Sequence, residues 1–152
     1  PEMLFAVKSG VDMFDCVMPT RIARNGTLYT SAGRVNIKAA RYEKDFTPLD
    51  EKCNCYVCRN FTKAYLRHIF RAGEITSLIY NTYHNLFFMK NFMIEIRESI
   101  FNNNFNEIYK KWMNIFNKST WKNIFIFKSL KNYYFVLNLF FYIVLLTIKN
   151  WI

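Results

Sequence analysis

Apolar and polar residues follow several different periods along the first hundred positions, and each period predicts its own kind of element. Met3, Leu4 and Val7 carry helical spacing, with Pro1 and Glu2 suited to a first turn and Gly10 to the exit. Val11-Asp12-Met13-Phe14-Asp15-Cys16-Val17-Met18 is a mostly apolar run closed by Pro19, which reads as a buried strand with Cys16 as a small hydrophobe inside it. A helix passing into a strand through so short a connection is the αβ step of an α/β fold.

Beyond Asn25-Gly26 the period shortens to two. Thr27-Leu28-Tyr29-Thr30 and Arg34-Val35-Asn36-Ile37 alternate around Ser31-Ala32-Gly33, predicting a small antiparallel hairpin. A polar loop runs through Pro48 into a group of cysteines, and Phe61 to Ala72 then reads as a helix with Gly73 as its cap. A further helix starts near Thr76 or Asn85. Its Leu86, Met89, Met93, Ile96 and Ile100 step by three and four, a stripe expected to be core.

Charge divides what hydropathy leaves continuous. The chain has 152 residues and a net charge of +10, yet residues 1–107 carry 14 Lys+Arg against all 11 acids, a net of +3, while residues 108–152 carry seven Lys and no acid. The basic excess is therefore a property of the tail, and the composition splits near residue 118. Tyr133 to Ile148 is a mostly apolar, helical-type run of 16 residues, short for a membrane span of about 20. With only 4 Gly and 3 Pro, neither a collagen-like nor a disordered chain is expected, and 4 Cys are too few for a disulfide scaffold. Pro1-Glu2 resembles no signal peptide, so a cytoplasmic protein is expected, its first residues continuing from a larger chain.

Cys53-x-Cys55-x-x-Cys58 puts three thiols within six residues, and His84 lies 26 positions further on. Three cysteines and a histidine make a closed structural zinc set, which would join the loop to the helix and leave no open position for catalysis. The competing reading is three free thiols beside an unrelated histidine, since the first pair is Cys-x-Cys rather than Cys-x-x-Cys. His68 is the other histidine; it shares a helix face with Phe61 and Tyr65, where packing against another surface is expected.

Asp12 and Asp15, three apart on a strand, would point to opposite faces, so only one could serve a site. Asp15, nearer the strand's C-terminal end, is placed where parallel sheets and barrels hold their catalytic groups, although a solvated or capping role suits it equally. Arg21 and Arg24 follow in the expected loop from Pro19 to Gly26, as phosphate or guanine contacts or as solvated surface.

Taken in order, Gly10 to Arg21, Arg24-Asn25-Gly26, Asp45-Phe46-x-Pro48-Leu49-Asp50, the three cysteines, Ala64-Tyr65-Leu66-Arg67-His68 and His84-Asn85 resemble the tRNA-guanine transglycosylases, most nearly the bacterial branch. The resemblance covers about residues 1–118 and corresponds to the C-terminal third of that family. It implies the C-terminal part of a (β/α)₈ barrel with a zinc-binding insertion (about residues 25–84), followed by an unmatched apolar tail over 119–152. It further implies exchange of the wobble guanine of GUN-anticodon tRNA for 7-aminomethyl-7-deazaguanine, a step toward queuosine. Asp15 falls on the family's nucleophile, Pro1, Glu2, Thr20, Arg21, Ile22, Ala23 and Arg24 on its RNA-contacting stretches, and Cys53, Cys55, Cys58 and His84 on its ligands for one zinc. Bacterial members are homodimers, and Phe61, Tyr65 and His68 are the face expected at such an interface. The family's general-base aspartate and purine grip lie in the portion this chain does not contain, so alone it is expected to be inactive. The alternative is a non-catalytic zinc-binding RNA module or an inactive remnant.

Overall fold

The computed structural model describes residues 1–118, a helix-rich arrangement with one two-stranded hairpin. The tail over 119–152 lies outside the described residues. In order, the elements are α1 (Glu2–Lys8), α2 (Met18–Arg24), β1 (Thr27–Thr30), β2 (Gly33–Asn36), a short 3₁₀ turn (Ala40–Tyr42), α3 (Tyr56–Asn60), α4 (Lys63–Arg71), α5 (Ile75–Phe101) and α6 (Phe105–Lys118). Among the described residues no helix is long and apolar enough to cross a membrane.

The hairpin forms where the alternation predicts it. Thr27 pairs with Asn36, Leu28 with Val35, Tyr29 with Arg34 and Thr30 with Gly33, in antiparallel register. Thr62 caps α4 by accepting a hydrogen bond on Oγ1 from the Tyr65 amide, and Gly73 follows that helix with φ +78. Gly26, at the joint of α2 and β1, has φ +79, and a Cβ there would stand 3.1 Å from both Lys38 Cε and Phe70 Cζ.

Three expectations are corrected. Residues 11–17 form no strand: Met13 is 88% exposed and Val17 61%, and Cys16 is exposed rather than buried. A strand needs a neighbouring edge for its backbone hydrogen bonds, and none of the described elements offers one beside this segment. The segment from Pro19 is not a loop but the helix α2, which begins with a proline in its first turn, a position that a proline's fixed φ favours. The stripe on α5 is rotated from its expected place, because Leu86 and Ile100 are about half exposed, while the buried positions are Ser77, Asn81, His84, Asn85, Phe92, Ile96 and Ser99.

Two cores result, both using α5. Its N-terminal half packs with Ala23, Leu28, Ile37, Leu49, Val57, Leu66 and Ile69 around Cys55 and Cys58. Its C-terminal half joins Leu4 of α1 and Trp112 of α6 through Phe92 and Ile96. Trp112 stands edge-on to Phe92 at 4.9 Å and donates through Nε1 to a Glu95 carboxylate oxygen at 2.9 Å, so its one polar atom is satisfied.

Candidate metal centre

Cys53 and Cys55 lie in the loop before α3, Cys58 on that helix, and His84 on α5, where it is fully buried. The four ligand atoms all lie within 4.8 Å of one another. His84 Nδ1 is 3.4 Å from Cys55 Sγ, 3.4 Å from Cys58 Sγ and 4.0 Å from Cys53 Sγ. Tetrahedral zinc with sulfur at about 2.3 Å and nitrogen at about 2.0 Å requires a nitrogen–sulfur separation of about 3.5 Å. The donor set therefore has the spacing that a tetrahedral metal ion such as zinc requires, and its thiolates suit a soft or borderline metal.

The orientation of His84 is fixed from behind. Its Nε2 stands 2.7 Å from the Tyr29 carbonyl oxygen, which can only accept, so Nε2 carries the proton and Nδ1 faces the thiols. Cys58 contributes a backbone N–H to the Cys55 sulfur at 3.4 Å. Hydrogen bonds with Cys53 and Cys58 hold the Cys55 thiol far below its usual range, and hydrogen bonds with Cys53 and Cys55 push Cys58 up. Burial by itself would lower the His84 pKa, yet the hydrogen bonds with Cys53 and Cys55 overcome it and the group is pushed up to about 9.

The hairpin is tied to this centre by two polar residues. Asp50, 7% exposed, accepts from the Ser31 amide at 2.6 Å, the Ser31 hydroxyl at 2.7 Å and the Lys52 amide at 3.0 Å, joining the hairpin turn to the cysteine loop. Asn85, fully buried, accepts on Oδ1 from the Tyr29 amide at 3.0 Å and donates from Nδ2 to the Pro19 and Thr27 carbonyls at 3.0 and 3.1 Å. Sequence reasoning missed both as structural anchors. Asn85 sits beside a ligand histidine at a position where the helical period runs inward, and that was the available signal.

The other sequence candidates are placed apart from the metal cluster. Asp12 and Asp15 are both exposed on the segment before α2. Pro1 precedes α1 and Glu2 is exposed in its first turn. On α2, Thr20 donates through Oγ1 to the Val17 carbonyl at 3.0 Å, Arg21 and Arg24 are exposed, Ile22 is half-buried, and Ala23 is fully buried in the core. Phe61 is stacked between Tyr65 at 4.9 Å and Tyr80 at 4.7 Å, while Tyr65 and His68 are exposed on α4.

A Cys3His set, buried except for the half-buried Cys53 and clipped between a hairpin-bearing loop and a long helix, defines a candidate metal-binding subdomain carried on a helical frame. Residues 1–118 match the family model for queuine tRNA-ribosyltransferase, and the chain belongs to that family. It is similar to the queuine tRNA-ribosyltransferases of Aquifex aeolicus, at 54% identity over 74% of this chain and 30% of the relative, and of Macrococcus caseolyticus, at 62% over 61% and 24%. The Thermodesulfovibrio yellowstonii enzyme of the same name is 47% identical over 78% of this chain and 31% of its own. The chain thus spans 24 to 31% of the length of these curated relatives.

Proposed function

We propose that this chain is the C-terminal, zinc-bearing portion of a tRNA-guanine transglycosylase (residues 1–118, with the zinc subdomain over about 25–84), a part of a (β/α)₈ barrel enzyme that exchanges the wobble guanine of GUN-anticodon tRNA for 7-aminomethyl-7-deazaguanine on the way to queuosine. The observation that carries the reading is the family match over the 118 residues within which the Cys3His donors converge. Zinc held by Cys53, Cys55, Cys58 and His84 would fasten the loop to α5 and take no part in the reaction.

In that reading Asp15 is the nucleophile. A carboxylate oxygen attacks ribose C1′ as the bond from C1′ to guanine N9 breaks, and guanine leaves with the electron pair and a proton. The ring nitrogen of the incoming base then displaces Asp15, losing its own proton and restoring the β-linkage by two inversions. The exposure of Asp15 and the two guanidinium groups of α2 supports this use, since the carboxylate stands open to a large substrate and Arg21 and Arg24 offer charge to phosphates or the guanine edge. Pro1, Glu2, Thr20, Ile22 and Ala23 complete the RNA-facing stretches, with Ala23 acting through its packing. A homodimer meeting through Phe61, Tyr65 and His68, and a cytoplasmic location, belong to the same proposal.

The test joins this chain to the preceding portion of the Aquifex aeolicus relative and measures incorporation of labelled guanine into tRNA, together with covalent trapping of tRNA on the protein. Exchange and trapping are expected, and Asp15→Asn should abolish both. Trapping that survives Asp15→Asn removes Asp15 as the nucleophile. A fusion that binds tRNA and never exchanges its base would favour the non-catalytic zinc and RNA module.

A further inference from the structure

Helix α2 is poorly equipped to hold its own position. It has seven residues, no side-chain cap at Val17, and only Pro19 and Ala23 buried. Helices this short are marginal without tertiary support, and the largely exposed segment 11–17 that precedes it offers α2 only the Val17 carbonyl, which accepts from the Arg21 amide and the Thr20 hydroxyl at 3.0 Å each. The support comes from α5, against which α2 packs, and the polar part of that packing is the Asn85 amide. Its three hydrogen bonds reach three separate backbone groups: the Pro19 carbonyl in the first turn of α2, and the Thr27 carbonyl and Tyr29 amide of β1. The next residue back along α5, His84, takes the Tyr29 carbonyl. One buried dipeptide thus grips both backbone groups of Tyr29, orients the metal-facing imidazole and tethers α2.

We infer that Asn85 is a positioning residue that sets α2, with Arg21 and Arg24, in register against the metal-bearing frame. The RNA-binding part of this inference rests on the transglycosylase reading; the mechanical part does not. The geometry asks for a side chain that donates to Pro19 and Thr27 at once while its own oxygen takes the Tyr29 amide, as the Asn85 carboxamide does. Leucine would fill the volume and leave three buried backbone groups without that partner. Replacing a buried partner in this way costs more than the net value of the bonds it made, because the groups left behind are desolvated.

The experiment uses the full chain loaded with zinc and compares Asn85→Ala and Asn85→Ser with Ser77→Ala. Ser77 is equally buried on the same helix face, but its hydroxyl donates within its own turn, to the Glu74 carbonyl at 2.6 Å. Zinc content, amide hydrogen exchange and affinity for an anticodon stem-loop RNA are read together. Both Asn85 variants should keep zinc, exchange the Arg21, Asn25 and Gly26 amides about tenfold faster or more, and leave the Cys58 and Leu66 amides unchanged. RNA affinity should fall about tenfold in the same two variants and stay unchanged in Ser77→Ala. Unchanged exchange in α2 overturns the inference. So does a uniform rise across the chain, or loss of zinc, either of which makes Asn85 a general folding residue. If the wild-type chain ignores the RNA while the exchange pattern appears, the positioning role stands and the RNA reading falls.

Discussion

Tyr29 shows how much of this site is decided by neighbouring residues acting on one peptide unit. His84 holds its carbonyl and Asn85 its amide, so the metal-facing ring is oriented by the strand that the metal in turn secures. His84→Ala should remove the metal and that anchor together. The expected outcome is less than one zinc per ten chains after dialysis and a Tm lower by about 8 °C or more, equivalent to a loss of about 2 kcal/mol. The pH dependence of loading has a definite sign. Below about 9 the metal-free imidazole is protonated, so zinc must expel that proton as well as a thiol's. Affinity should therefore fall on acidification and rise with pH, more steeply below about 9, where imidazole and thiol both give up protons, than above it, where the thiol alone still does; titration calorimetry in buffers of different ionisation enthalpy checks the proton release. The ligands were legible in the sequence because thiols and imidazoles are rare and their spacing is chemical. Asn85 and Asp50 were not legible in their roles, since each satisfies backbone groups brought near only by the fold.

At the scale of elements, the hairpin and α4 were legible because each carries a local signal, alternation around a turn and a terminal glycine, whereas the start of α5, left between Thr76 and Asn85, falls at Ile75 beside the earlier of the two. Residues 11–18 misled for the opposite reason. Their composition is that of a strand, but strand formation depends on a partner edge that composition does not supply. The α5 stripe was rotated because its buried face is mostly polar: Ser77, Asn81, His84, Asn85 and Ser99 are buried there, and only Phe92 and Ile96 are apolar. Gly26 joins α2 to β1 at positive φ under Phe70 and Lys38, and Gly26→Ala should strain the backbone and crowd those side chains together. A destabilisation of about 1–3 kcal/mol is expected from denaturant unfolding, with zinc retained. An unchanged midpoint would show that the joint relaxes freely.

For the molecule as a whole, the two cores give the described residues a frame of their own, although the chain spans only 24 to 31% of the length of its relatives. One core is built around the cysteines and the hairpin, the other around Trp112, and α5 runs through both, so the described portion has its own buried frame. In the transglycosylase reading, what the described portion lacks is enclosure of the proposed nucleophile. Asp15 is exposed, its segment has no paired strand beside it, and Met13 and Val17 stand open where a barrel wall would cover them. A barrel strand gains its position from the hydrogen bonds of both neighbours, and a nucleophile on an unpaired segment is not held in line with a ribose carbon; misplacement by about 1 Å costs about a hundredfold in rate. The purified 152-residue chain should therefore bind one zinc and release no guanine from tRNA above background. Adding the preceding portion of a relative in trans should restore exchange and protect amides 11–17 from hydrogen exchange, because those residues would then enter a ladder. Turnover by the chain alone would mean that Asp15 needs no wall around it. Restored turnover without protection would mean that the added portion brings its own nucleophile.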